Sequence, residues 1–292
     1  MKNEPLRSEH ITYAVTLSIL AAICYSIMNL LVKFVTIDTT ESMTVFFRFL
    51  VSSFWVILVF IYKRWHGKYF PIKTEHFGLH LIRAICSFIS MFSLYYALKY
   101  VPLVDVTSLA MTYTLFIPIL GSIFLGTKTN VKNWLAIITG FIGVIFILKP
   151  YSSNFDPITL VALISGLTMA ISFLVLYELA KNDEPHTILL YYFSLTVILS
   201  GIYTTFSWKT PNLKTISHLL IIGVAGTAYH EFLTRSMSYA SPKIVAPLLY
   251  SSIIFSGIFD WLFWHRMPDL YFWIGAILVI FGCIFLIRYT QE

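Results

Sequence analysis

The sequence carries little charge for its length. Of its 292 residues, 12% are Asp, Glu, Lys or Arg, whereas 58% are hydrophobic. A soluble domain has about 25% charged residues, because even a large apolar core needs a wetted surface around it. The mean hydropathy of +0.79 points the same way. The shortage of charge excludes a soluble globular protein and predicts an integral membrane protein.

Cysteine is scarce as well. Cys24, Cys86 and Cys283 all lie within apolar runs, and none of them has the Cys-x-x-Cys spacing of a metal site. We interpret them as small apolar packing residues. The sequence therefore predicts neither a metal site nor a disulfide framework.

Signatures of catalysis are missing too. The sequence contains no Gly-x-x-x-x-Gly-Lys phosphate loop, no His-Glu-x-x-His and no Gly-x-Ser-x-Gly. The absence of a phosphate loop argues against a self-contained ATP-driven pump. The net charge of +6 lies mostly between the apolar runs, which indicates membrane orientation rather than nucleic-acid binding. We expect no cofactor and no nucleic-acid partner.

Long apolar runs, in contrast, fill the chain. Crossing a hydrocarbon core of ~30 Å takes a helix of ~20 residues. Segments of about this length, bounded by charges, Pro or Gly, are 11–34, 42–62, 77–99, 105–125, 132–148, 158–180, 186–206, 216–239, 244–264 and 270–287. The sequence predicts an all-α membrane protein of ten transmembrane helices, with the first run retained as a helix rather than cleaved as a signal peptide.

The two halves of the chain resemble each other. At an offset of 139 residues, Trp134 aligns with Trp273 and Gly143 with Gly282, whereas the first helices align at an offset of 148. Because each half has five helices, an odd number, the second half must enter the membrane from the opposite side. This pattern predicts inverted repeats, an arrangement typical of secondary transporters, with the substrate site between the repeats.

The predicted repeats comprise residues 11–150 and 157–289. In the first half, Lys and Arg are concentrated in segments on the side of the N-terminus, such as residues 63–76. Loops rich in Lys and Arg face the cytoplasm. Both termini are therefore predicted to be cytoplasmic.

Several polar side chains lie within the apolar helices. A charge at the bilayer centre costs at least ~2.5–3.5 kcal/mol and normally faces protein or a water-filled cavity. Four charges lie well inside the runs, namely Arg48, Arg83, Glu231 and Arg235. The candidate substrate-binding residues are Tyr25, Asn29, Arg48, Arg83, Ser87, Ser90, Ser108, Thr112, Thr227, His230, Glu231, Arg235, Tyr250 and Ser251.

Two interpretations of these charges stay open. Thr227, Glu231 and Arg235 share one helical face and could form a polar wall of the substrate cavity, with Glu231 or His230 able to take a proton. Alternatively, Glu231 and Arg235 form an ion pair that only neutralises both charges. Similarly, the two other arginines either line the cavity or extend to the membrane interface.

Arginine suits a carboxylate, because its planar guanidinium group donates two parallel hydrogen bonds. We therefore expect a secondary transporter of a small polar metabolite that bears a carboxylate or is zwitterionic. The alternative from another class is a membrane enzyme that uses His230 and Glu231 as an acid–base group. Proton coupling, solute exchange and assembly as a homodimer stay open.

Short motifs in both halves carry a resemblance to a known family. They are Ala97-Leu98-Lys99-Tyr100 and Lys149-Pro150 in the first half, and Tyr229-His230 and Ala246-Pro247-Leu248-Leu249-Tyr250 in the second. With these motifs the chain resembles the drug/metabolite transporter superfamily with EamA-type domains. Phe46-Phe47-Arg48-Phe49 and Leu81-Ile82-Arg83-Ala84 look like the branch that includes S-adenosylmethionine uptake carriers.

The resemblance implies solute uptake or efflux across the cytoplasmic membrane of a bacterium, without ATP hydrolysis. The chain departs from the family pattern at one point. The family often has Glu after the Gly that closes helix 4, whereas this chain has Thr127 there and Arg266 at the equivalent position of the second repeat. No role of that Glu can be transferred to this chain.

Overall fold

The computed structural model describes residues 8–36, 38–66, 72–124, 131–148, 156–179, 182–239 and 248–289. Within these ranges all regular secondary structure is α-helical. The helices are α1 (Ser8–Val35), α2 (Glu41–Trp65), α3 (Phe77–Tyr100), α4 (Leu103–Ala110), α5 (Tyr113–Phe124), α6 (Val131–Leu148), α7 (Ile158–Leu179), α8 (Pro185–Thr205), α9 (Leu213–Tyr239), α10 (Ser251–Trp264) and α11 (Leu270–Tyr289).

Local sequence explains where helices begin. The hydroxyl of Thr40 accepts a hydrogen bond from the backbone N–H of Met43 at 3.4 Å and so caps the start of α2. Helix α8 starts with Pro185, whose missing N–H has no helical partner at that position anyway.

The helices are long and apolar enough for a multi-pass membrane protein. Among the residues that the structure describes, seven segments are long and apolar enough to cross a membrane, namely α1, α2, α3, α7, α8, α9 and the α4–α5 pair taken together. Helices α6, α10 and α11 contain shorter apolar stretches, Trp134–Ile147, Ser251–Trp264 and Leu270–Gly282. Large apolar side chains cover much of the outer surface, as with Phe54, which is 63% exposed.

The fourth predicted helix, residues 105–125, is not continuous in the structure. It divides into α4 and α5 at Met111 and Thr112. The Thr112 hydroxyl donates to the carbonyl oxygen of Leu109 at 2.6 Å, a local bond that competes with the helical ladder. Helix α7 passes very close here, because a Cβ on Gly166 would lie 2.7 Å from the Thr112 hydroxyl oxygen.

Helices from the first half of the chain pack mainly against helices from the second half. The most extensive pairs are α1 with α9, α3 with α7, α6 with α11 and α2 with α8. Small hydroxyl side chains bridge two of them. Ser18 on α1 bonds to Ser236 on α9 at 2.6 Å, and Ser87 on α3 bonds to Ser172 on α7 at 2.7 Å. Small residues allow close helix approach in membranes, and buried hydroxyls then find partners across the interface.

Hydrogen bonds also define the two ends of the bundle. Ser207, just beyond the end of α8, bonds to Ser42 at the start of α2 at 2.9 Å. Thr74, beyond the other end of α2, bonds to Asp183, just before α8, at 2.7 Å. The connections that follow α2 and α8 therefore lie at opposite ends of the bundle.

Candidate functional site

A small cavity lies where α1, α3, α4, α5, α7 and α9 meet. Its volume is about 30 Å³, room for roughly two water molecules. Aromatic and thioether side chains dominate its lining, which includes Tyr25, Tyr113, Phe173, Tyr229, Met91, Met111 and Met169. Ser165 and His230 supply polar groups. The cavity is too small for a metabolite, so a substrate can enter only after the helices move apart.

Arg48 lies near this cavity on α2 and is only 1% exposed. Its Nε donates to the sulfur of Met28 at 3.2 Å, and its Nη2 donates to Nε2 of His230 at 3.2 Å. Since a guanidinium group can only donate, His230 must be neutral and accept at Nε2. The Arg48 Nη1 is buried without a hydrogen-bond partner.

Arg83, on α3, is 6% exposed and lies with its guanidinium carbon 4.1 Å from the ring centre of Tyr192 on α8. Its Nε and Nη1 are buried without hydrogen-bond partners. The interaction with the ring face stabilises the cation in part. It leaves the N–H groups of Arg83 unsatisfied.

Aromatic rings connect the two arginines. The Arg48 guanidinium carbon lies 4.4 Å from the ring centre of Phe49, and Phe49 packs edge-to-face on Tyr192 at 5.5 Å. The Tyr192 ring is also 6.0 Å from the ring of His230. Arg48, Arg83, Phe49, Tyr192 and His230 thus form one buried group, which we call the arginine cluster.

Asn29 is a further buried polar group. Its side chain is fully buried on α1, and neither atom of its amide makes a hydrogen bond of normal geometry, although Tyr25 lies close to it. A buried amide without partners costs free energy. Its neighbour Tyr25, one helical turn away, lines the cavity.

Neither arginine of the cluster has an acidic partner in the part of the chain that the structure describes. No Asp or Glu carboxylate there lies within 4.0 Å of either guanidinium group. Two buried cations without a counter-ion are unfavourable in a low-dielectric interior. The cluster is therefore suited to binding an anionic group.

Glu231 and Arg235 lie elsewhere. The Nη2 of Arg235 is 2.7 Å from Oε1 of Glu231, and the side chains of Glu231 and Arg235 are 39% and 60% exposed. The structure thus contains the ion pair, and its residues are not among those that line the cavity. The structure does not bring Glu231 and His230 into one acid–base group, because His230 instead bonds to Arg48.

The predicted hydroxyl residues are buried or partly buried and form hydrogen bonds within the protein. Ser90 donates to the Ser165 carbonyl oxygen, Ser108 to that of Val104 and Ser251 to that of Leu248; Thr227 bonds to Ser52, and Tyr250 bonds to Thr114. Ser87 and Thr112 make the contacts given above. The bonds of Ser87, Ser90, Thr227 and Tyr250 join different helices, and those of Ser108, Thr112 and Ser251 are local. Tyr25 and His230 line the cavity itself.

Sequence reasoning missed Phe49, Tyr192 and the other rings around the cluster. An aromatic residue in an apolar helix is indistinguishable from a lipid-facing or core residue by composition alone. The available signal was the run Tyr191-Tyr192-Phe193 in the middle of α8, where hydroxyl-bearing rings require a polar partner.

Comparison with known proteins gives a consistent result. The model of the EamA-like transporter family matches residues 12–149 and 157–288. The pseudopaline exporter CntI of Pseudomonas aeruginosa is 28% identical over 94% of this chain and 95% of its own length. The S-adenosylmethionine uptake transporter of Rickettsia felis is 27% identical over 85% of this chain and 82% of its own.

A riboflavin transporter of Vibrio cholerae is 26% identical over 81% of this chain and 80% of its own length. One solved crystal structure aligns with 98% of this chain and 99% of its own length at a TM-score of 0.66, with 14% sequence identity. At that identity the match shows a shared fold.

Proposed function

Because the chain belongs to the EamA-like transporter family and is a multi-pass membrane protein, we propose that it carries a small polar metabolite with at least one carboxylate group, and that Arg48 and Arg83 form the binding site for the anionic part of the solute. Asn29 donates or accepts further hydrogen bonds, and the rings of Tyr25 and Tyr229 contact the apolar part of the solute.

The observation that carries this proposal is the pair of buried guanidinium groups without an acidic partner. Three of their nitrogens, Nη1 of Arg48 and Nε and Nη1 of Arg83, have no hydrogen-bond partner. Charge-assisted hydrogen bonds from Arg to a carboxylate are among the strongest polar contacts in proteins. A bound carboxylate would satisfy these donors and neutralise charge at once.

We also propose the ten-helix inverted repeat, in which α1, α2, α3, α4–α5 and α6 correspond to α7, α8, α9, α10 and α11. The helix contacts support it, because exchanging each helix for its counterpart preserves the most extensive packing pairs. The contact of α1 with α9 becomes that of α7 with α3, and both are extensive. The pairs α2–α8 and α6–α11 each map onto themselves.

The glycines between α6 and α11 support the same correspondence. A Cβ on Gly143 would lie 2.6 Å from the carbonyl oxygen of Gly275, and one on Gly282 would lie 2.7 Å from that of Ala136. Position 143 corresponds to 282, and position 136 to 275, at the 139-residue offset. Exchanging each residue of the first contact for its counterpart therefore gives the second contact. The arginine cluster then lies between the repeats, as in other inverted-repeat transporters.

In this proposal the protein lies in the cytoplasmic membrane of a bacterium with both termini inside. The relatives include an exporter and uptake transporters, and the proposal covers both directions of transport. Transport uses exchange or a coupled ion, because the family resemblance implies no ATP hydrolysis.

Transport by purified protein in lipid vesicles tests the proposal. We would screen carboxylate metabolites, including S-adenosylmethionine, for thermal stabilisation of the protein, since a ligand stabilises by RT ln(1 + [L]/Kd). The uptake of stabilising compounds would then be measured. Arg48→Gln and Arg83→Gln are expected to abolish uptake, whereas the matched control Arg64→Gln, at the exposed end of α2, should leave it unchanged.

Two results would contradict the proposal. Normal uptake of a carboxylate by the folded double variant Arg48→Gln/Arg83→Gln would remove the arginines from the binding site. Chemical conversion of a compound that the vesicles do not accumulate would favour the enzyme instead.

A further inference from the structure

We propose that the substrate carries two anionic groups and a net negative charge, with one group bound at Arg48 and the other at Arg83. This inference rests on the proposed function and narrows its substrate class. It excludes zwitterions such as simple amino acids.

The two guanidinium groups occupy separate places. Arg48 lies over the ring of Phe49 and bonds to Met28 and His230, whereas Arg83 lies over the ring of Tyr192. The Phe49 and Tyr192 rings lie 5.5 Å apart and are almost perpendicular, so the two cations contact differently oriented ring faces. Each arginine keeps its own unpartnered nitrogens, so each presents donors to a different part of a ligand.

The charge count of the arginine cluster favours a dianion. His230 is neutral because it accepts from Arg48, so the cluster carries two positive charges, and neither arginine has an acidic partner among the described residues. A zwitterion would leave both charges uncompensated, and a monoanion would leave one. A dianion neutralises both, which matters in an interior where an uncompensated charge is expensive.

The lining of the cavity disfavours a cationic group on the solute. An ammonium group brings three N–H donors, and no carboxylate lines the cavity in the described part of the chain. Two of the nearby ring faces, those of Phe49 and Tyr192, are already covered by guanidinium groups. The remaining rings and the thioethers suit an apolar body between the two anionic groups.

The test separates metabolites by charge, so it works before the substrate has been identified. A bacterial metabolite extract is fractionated on an anion-exchange column, with lactate and glutarate as elution markers for one and two negative charges. The desalted fractions are added to the purified protein, and the melting temperature is measured. We expect stabilisation only by fractions that elute with or after glutarate.

Variants of the two arginines test where the stabilising compound binds. Arg48→Gln and Arg83→Gln should each abolish the stabilisation by these fractions. Arg83→Lys, which keeps the positive charge but not the planar guanidinium group, should retain part of it. Arg64→Gln should respond like the unmodified protein. The melting temperature of each variant without additions shows whether it folds. Stabilisation that persists in both Gln variants would place the ligand elsewhere and overturn the inference.

The outcomes distinguish this inference from the function on which it rests. Stabilisation by the unretained fraction, which holds zwitterions and cations, or by the lactate fraction, would overturn the dianion and leave a carboxylate transporter intact. If no fraction stabilises the protein, the proposed function itself fails and the inference fails with it. As a defined comparison, glutarate should stabilise more than 4-aminobutyrate, which has the same length but an ammonium group at one end.

Discussion

At the scale of single residues, the arginine cluster shows which features of a site a sequence can reveal. Arg48, Arg83 and His230 are conspicuous because ionisable groups are expensive in apolar helices, and the structure places all three together. The rings of Phe49 and Tyr192 could not be assigned to the site in this way, since in sequence they do not differ from other aromatic residues of an apolar helix.

Glu231 and Arg235 illustrate a different limit. The helical period places them on one face with Thr227, but it does not say which face is buried. The structure shows that the buried stripe of α9 runs through Ile222, Gly226, Tyr229 and Leu233. Glu231 lies roughly 140–180° around the helix from the residues of that stripe, on the opposite face, which explains its exposure. Which face of α9 is buried depends on its packing against other helices, which the sequence does not show.

A buried cation held for binding should destabilise the protein. We predict that Arg83→Met raises the melting temperature while transport of a carboxylate is lost, because methionine fills the space and removes a charge without a counter-ion. Replacing buried ionic groups with apolar residues is often neutral or stabilising by about 1–4 kcal/mol. Thermal denaturation and vesicle transport measure the two effects.

The exposed Arg64→Met is the matched control for this prediction and should change neither quantity. A purely structural role for Arg83 predicts the opposite sign for stability, so a clear fall in the melting temperature of Arg83→Met would contradict the prediction.

At the scale of helices, the apolar runs locate the elements well, because length and hydropathy are set directly by the membrane. The division of α4 from α5 was not visible in the sequence, since it depends on a local hydroxyl bond and the close passage of α7. Residues 244–247 of the ninth predicted helix, 244–264, lie outside the described residues; the described remainder, 248–264, contains α10.

The α6–α11 contact provides a prediction about packing. A Cβ at Gly275 would lie 2.6 Å from the backbone carbonyl oxygen of Gly143, which cannot rotate away. Gly275→Ala should therefore destabilise the protein by about 1–3 kcal/mol, as overpacking usually does. Gly257, on α10, has its nearest neighbour at 3.5 Å, so Gly257→Ala should be tolerated. Equal melting temperatures for the two variants would show that α6 and α11 do not pack this closely.

Two buried polar contacts lie near opposite ends of α3. The 24 residues of this helix span ~36 Å. At its start, Nε2 of His80 bonds to Asp183 at 2.8 Å. Beyond its end, Lys33 donates to the carbonyl oxygen of Val101 at 2.6 Å and lies 3.9 Å from Asp260. His80 with Asp183, and Lys33 with Asp260, each join one half of the chain to the other. We refer to them as the His80 contact and the Lys33 contact.

If the protein works by alternating access, each contact should hold its own end of the cavity closed. With Cys24, Cys86 and Cys283 replaced by Ser, Met169→Cys places one thiol in the cavity lining. Asp183→Ala is expected to speed thiol labelling from the side of the His80 contact, and Asp260→Asn from the other side. A charge-assisted hydrogen bond is worth ~1.5–3 kcal/mol, so the rate should rise about tenfold or more.

The neighbouring exposed residue supplies the control for this experiment, since Asn182→Ala should not alter labelling from either side. Faster labelling from the same side in both variants would contradict a two-ended mechanism, and labelling that never changes would show that neither contact closes the cavity.

At the scale of the whole molecule, the proposed inverted repeat makes a prediction about how the chain is oriented in the membrane. Because the structure places the connections after α2 and after α8 at opposite ends of the bundle, these two connections must face opposite sides if the bundle spans the membrane. We predict that Lys73→Cys, in the first connection, is labelled by an impermeant thiol reagent only from the cytoplasm. Lys209→Cys, in the second, should be labelled only from outside. Both positions are exposed, so access to the reagent depends on the side of the membrane alone.

The two variants, made without the native cysteines and compared in intact cells and inverted vesicles, control for each other. Labelling of both from the same side would rule out the inverted repeat, and exchange of the two sides would reverse the predicted orientation of the termini.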